Sequence, residues 1–153
     1  MDAQTARARF KGVRFTSMTD SIDLENGELW GGASWMVSGI LKDIARSMSN
    51  ESVSIPFSNW LLDLSDRPNG MASFDVRGLT SEQKDTFFKA AQTALKLKKT
   101  EGSKNWAKPE YFESYILYFT LLAEGKPSPH YKGTTKWNGE KINFCDLWQT
   151  NES

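Results

Sequence analysis

The stretch from Lys108 to Gly125, KPEYFESYILYFTLLAEG, restricts the fold more than any other part of the chain. Pro109 suits the first turn of a helix, where its missing N–H has no partner to lose. Gly125 suits the position just past the end, where the backbone commonly turns left-handed. Between them Tyr111, Tyr115, Tyr118 and Leu122 recur at helical spacing, as do Phe112, Ile116 and Phe119. Leu117 and Leu121 fill most of what remains. A helix apolar nearly all round is normally covered on several sides. The pattern therefore predicts a central buried helix, and Ile116→Asp or Phe119→Asp is expected to unfold the protein.

Other segments supply the cover. Ala33, Val37, Ile40, Leu41, Ile44 and Met48 form an amphipathic stripe that places a first helix within Leu29–Asn50. Thr80 and Gln83 fit a capping box that opens another, with Phe87, Phe88, Ala90, Ala91, Ala94, Leu95 and Leu97 on its apolar side. The alternations Val53/Ile55/Phe57 and Trp60/Leu62/Leu64, then the turn residues SDRPNG and Ala72/Phe74/Val76, read as an antiparallel hairpin. A helix over Asn59–Leu64 is the alternative. Tyr131, Gly133, Thr135 and Trp137 alternate before Asn138-Gly139, a preferred hairpin turn, with Glu140–Cys145 returning. Val13 and Phe15 mark a short strand in Arg7–Phe15, and Ile22 and Leu24 a second before Asn26-Gly27. The expected fold is α+β: one domain over residues 7–148, about three helices packed on antiparallel hairpins. Residues 1–6 are expected to fray, and 149–153 to form a tail.

Composition narrows the function. The 153 residues are 39% hydrophobic and 25% charged, which suits one globular domain with a real core. Formal net charge is zero, which argues against a whole-domain electrostatic fit to nucleic acid or anionic membrane. The first residues carry charges but no apolar run, and no stretch has the roughly 18 apolar residues of a membrane span. A reducing cytoplasm is the expected compartment, because a single Cys permits no internal disulfide.

Chemistry is sparse. Cys145 and His130 are the only residues of their kinds, and NFCDLW places no basic neighbour or glycine turn beside the thiol. No serine elbow or phosphate-binding glycine motif occurs, although Gly31-Gly32 precede the first helix. Asp20, Asp23, Glu25 and Glu28 do not follow calcium-loop spacing. No catalytic, cofactor or metal residue is therefore assigned. Charge is sorted into patches: basic Arg7–Arg14, acidic Asp20–Glu28 and the lysines of Lys96–Lys108. Such a patterned yet neutral surface suits recognition of a protein. The residues expected to touch a partner are Asp20, Asp23, Glu25, Glu28, Trp30, Trp35, Tyr131 and Trp137.

The segments GLTSEQKDTFFKAAQTALKL and PEYFESYILYFTLLAEGKP, with ELWGGASW and TTKWNGEKINF, loosely resemble the small cytoplasmic immunity proteins of bacterial polymorphic toxin systems. That resemblance implies a protein that binds one toxin domain and blocks its active site. It implies no residue-level roles. The acidic segment would then meet a basic toxin domain, mimicking a nucleic-acid backbone if the toxin is a nuclease. Two other readings stay open: a nucleic-acid-associated module using Arg7–Arg14 and Lys96–Lys108, and a small enzyme centred on a carboxylate or Cys145.

Overall fold

The computed structural model describes residues 19–48, 54–68 and 70–142. A hairpin comes first. β1 (Thr19–Asp23) and β2 (Leu29–Ala33) pair antiparallel, with Ile22 opposite Trp30. Asn26-Gly27 lies in the turn, and Gly27 takes the positive φ of 86° that favours glycine there. The predicted turn is present, and the first helix starts just past the glycine pair as expected, with an unpredicted strand before it. Leu29–Ala33 is strand because Gly31 must lie against β1: a Cβ on it would fall 2.2 Å from the Asp20 carbonyl oxygen. Gly31 thus serves close backbone approach to β1, while a Cβ on Gly32 would lie 3.2 Å from the Tyr118 ring.

The chain passes directly into α1 (Ser34–Arg46), which buries Met36, Val37, Ile40, Leu41, Ile44 and Ala45. α2 (Ser54–Ser65) follows. The predicted strands here are replaced by a helix because Phe57, Leu61 and Leu64, all buried, recur at helical spacing. Pro56 falls in its first turn, where no intrahelical N–H is needed. β3 (Phe74–Asp75) then pairs parallel to β1, giving the order β2-β1-β3. The central antiparallel hairpin is therefore not formed. A 3₁₀ turn (Val76–Gly78) leads to α3 (Ser81–Glu101). Both bonds of its Thr80/Gln83 capping box are made, at 3.1 and 2.8 Å.

α4 (Pro109–Ala123) begins at Pro109 as predicted. It ends in paired bonds from Gly125 N–H to the Leu122 carbonyl and from Lys126 N–H to the Leu121 carbonyl, the Schellman arrangement. It is not the centre, however. Tyr115, Tyr118, Phe119 and Leu122 are buried, but Leu117 is 52% exposed and Tyr111 is also exposed. α1 occupies the centre and packs against the β1–β2 hairpin, α2, α3 and α4. The described residues form a single mixed α+β domain with four helices and a three-stranded sheet among them.

The predicted last hairpin is also not formed among the described residues. Residues 126–142 run as an irregular strap whose backbone groups bond elsewhere: Ser128 N–H to the Leu29 carbonyl, Thr135 N–H to that of Gly27, Ile142 N–H to that of Gly78. Gly133 and Thr135 offer little to bury, so period-two alternation alone does not make a strand. The Arg7–Phe15 strand, the frayed and tail segments and the return strand beyond Ile142 lie outside the described residues.

Candidate functional site

Where the strap meets the first turn, one guanidinium organises four groups. Arg77 donates through Nε and Nη2 to the two oxygens of Asp75, each at 2.9 Å. Nη1 reaches the Thr135 carbonyl at 3.0 Å, and Nη2 lies 3.7 Å from Asp23. The Thr135 hydroxyl donates to Asp23 at 2.8 Å. The Asp75 hydrogen bonds, opposed by burial and aided by the charges of Asp75, Asp23 and Glu25, raise the guanidinium pKa above its ordinary value. Arg77 fixes the acidic turn and the strap in one geometry because its planar fork can hold several acceptors at once.

The predicted acidic contacts divide accordingly. Asp20 is 3% exposed and accepts from the Ala72 N–H at 2.8 Å, so it joins β1 to the segment before β3 and is not a surface group. Asp23 is occupied by Arg77 and Thr135. Glu25 is the exposed one, its side chain 65% accessible while paired with Lys84 at 2.8 Å. Glu28 is held by the Asn26 side-chain amide. Among the described residues no three His, Cys, Asp or Glu side chains come together so as to hold a metal ion.

The aromatic predictions divide as well. Trp30 is fully buried, with its indole N–H on the Tyr118 carbonyl at 2.8 Å, so it belongs to the core. Tyr131 is half-buried beside His130, and Trp137 is partly exposed with its indole N–H on the Glu140 carbonyl. His130 is not a simple surface residue, since its Nε2 meets the Tyr118 hydroxyl. Cys145 lies outside the described residues.

Trp35 stands apart, just past the other end of β2. It is 50% exposed and lies within 6.1–6.4 Å of the Trp106, Tyr111 and Tyr115 rings, stacked on Tyr115 at 19°. Lys108 places its ammonium 5.4 Å above the Tyr111 ring. Beneath them the Tyr115 hydroxyl donates to Asp43 at 2.5 Å, and Lys98 pairs with the same carboxylate at 3.3 Å. Burial first, then Asp43, raises the Tyr115 pKa far above the ordinary tyrosine value. Gly39 makes room for this ring, since a Cβ there would approach it to 3.1 Å. Sequence reading singled out Trp35 but missed its companions, because Trp106 and Tyr111 lie some seventy residues away and no local spacing links them.

An open groove of about 380 Å³ between α3 and α4 is lined by Gln92, Leu95, Lys96, Lys99, Thr120, Ala123 and Glu124. No helix among the described residues is long and apolar enough to cross a membrane. Compared with family models, curated proteins and solved structures, the chain matched none.

Proposed function

We propose that the chain is a protein-binding protein of the immunity type, which seats on a toxin domain in the cytoplasm of the producing cell and occludes its active site. The observation that carries this reading is the cluster of exposed Trp35 and Tyr111 with half-buried Trp106, fixed from below by Tyr115 and Asp43. Clustered aromatic residues on a rigid support are the usual anchors of a tight interface, because little side-chain entropy remains to be lost on binding. The looser support is the resemblance of the helical and Trp-rich segments to immunity proteins.

The test is co-expression with the product of the adjacent reading frame. A complex should form, and growth inhibition by that product should be relieved. Trp35→Ala with Tyr111→Ala should weaken the complex by about 2 kcal/mol or more, the cost of losing an interface hot spot. The thermal midpoint should stay close to that of the parent. A neighbouring product that is neither inhibitory nor bound would overturn the reading.

One observation favours a second reading. Lys104 and Lys108 flank Trp106, and both are exposed, so cations and rings share this surface as they do in single-strand nucleic-acid sites. Against it, Trp35 is stacked on Tyr115 and Lys108 covers Tyr111, leaving those ring faces occupied. Binding to a single-stranded oligonucleotide that weakens with salt and with Lys104→Glu would favour this second reading.

A further inference from the structure

The groove between α3 and α4 is a surface separate from the aromatic cluster. At about 100° per residue, Thr120 and Glu124 fall roughly opposite Tyr111 around α4. The buried part of the groove is apolar. Leu95 and Ala123 are buried, and the Thr120 hydroxyl is spent on the Ile116 carbonyl of its own helix at 2.7 Å. Exposed Leu117 precedes Thr120 by three residues and Glu124 by seven, so it continues the apolar strip along the same side of α4. The strip runs beside residues 92–99 and 117–124, about 10 Å or two turns of each helix.

The rim on α3 is cationic. Gln92, Lys96 and Lys99 are exposed and share one side of that helix, at i, i+4 and i+7. Neither lysine forms an ion pair with the described residues. No carboxylate stands three or four positions from either along the helix, where a partner would reach it. Glu124, the acid on the opposite rim, has Lys126 beside it at 3.5 Å. The α3 macrodipole fades within the last turn, so it favours Lys99 but does not reach Lys96, five residues before the end. The positive charge at the groove is therefore uncompensated within the described residues.

We propose that this groove binds an acidic amphipathic helix of a partner protein. A trough between two packed helices is a seat for the side-chain ridge of a third, and small residues such as Ala123 let its axis come close. The apolar stripe of the incoming helix lies on Leu95, Ala123 and Leu117, and its carboxylates face Lys96 and Lys99. Single-stranded nucleic acid binds by stacking its bases, and none of the described residues lining the groove is aromatic. A bilayer takes up apolar groups that project into it, whereas Leu95 and Ala123 are recessed. The proposal goes beyond the immunity reading and does not rest on it, because the two surfaces lie on different sides of α4.

The test is titration of the isotope-labelled full-length chain with a helix-stapled peptide of about 14 residues, leucines on one face and glutamates beside them, followed by amide chemical shifts. Shifts should concentrate on residues 92–99 and 117–124 and be absent with a scrambled peptide of the same composition. Combined Lys96→Glu and Lys99→Glu should weaken binding about tenfold or more. The same variant should bind the peptide remade with lysine in place of glutamate. Leu117→Ser should weaken the acidic peptide by about tenfold as well. Trp35→Ala with Tyr111→Ala should leave it unchanged, so failure here and failure of the toxin reading are told apart. No shifts at the groove, equal shifts with the scrambled peptide, or binding indifferent to the charge reversal would overturn the proposal. So would tighter binding of phosphatidylglycerol vesicles or of a single-stranded oligonucleotide at the same residues.

Discussion

Tyr115 shows how one side chain joins core and surface. Its ring is buried against Gly39 while Trp35 stacks on it from outside, and its hydroxyl is held by Asp43. Burial and that carboxylate keep the phenol protonated well above its ordinary value of 10.0. In the unfolded chain the same phenol ionises near that value, so above it the unfolded state binds fewer protons and stability falls. Below it the contribution is fully present. Urea unfolding at a series of pH values should show this decline beyond pH 10 in the parent, and a shallower one in Tyr115→Phe. Near neutral pH the variant should be weaker by about 1 kcal/mol, the typical net value of a hydrogen bond. Equal slopes in the two proteins would show that Tyr115 is not the group responsible.

Among the elements, α4 shows what its sequence does and does not determine. Pro109, Gly125 and the apolar spacing locate the helix almost to the residue, because caps and periodicity are local physics. Its place in the fold is not local. Leu117 looks as apolar as Phe119 in the sequence, yet one points outward and the other is fully buried. Phe119→Asp should therefore unfold the protein, while Leu117→Asp should change stability by no more than about 0.5 kcal/mol, as surface substitutions usually do. Thermal melts followed by circular dichroism distinguish them, and unfolding by both would restore a helix covered all round. The capping box of α3 and the Asn26-Gly27 turn were legible for the same local reason. α2 was not, since its short apolar run satisfies periods of two and of 3.6 about equally until tertiary packing selects one. The candidate surfaces were read least well. Trp30 and Trp35 both flank the same glycine pair, and only the Tyr118 carbonyl that takes the Trp30 indole sends one inward. Arg77 and Thr135 carried no local signal at all, because their role exists only where distant segments meet.

For the whole molecule, the strap is what closes the structure. Ser128 is buried, and its hydroxyl accepts from the Gly31 N–H at 2.7 Å while donating to the Gly31 carbonyl at 2.6 Å. With Ser128 N–H on the Leu29 carbonyl, one residue meets three hydrogen-bonding groups of β2, a strand with a neighbour on one side only among the described residues. An open edge of this kind is a template on which further strands can add. Ser128 therefore terminates a lattice that could otherwise extend from one molecule to the next, and a single hydroxyl stands in for a whole missing strand. Ser128→Ala should lower stability by about 1–3 kcal/mol, the cost of stranding buried polar groups. Its light scattering should also grow more steeply with concentration than the parent's. A Ser128→Ala protein that scatters no more than the parent would mean that other parts of the strap cover the edge. On this view the strap keeps the molecule from pairing with copies of itself.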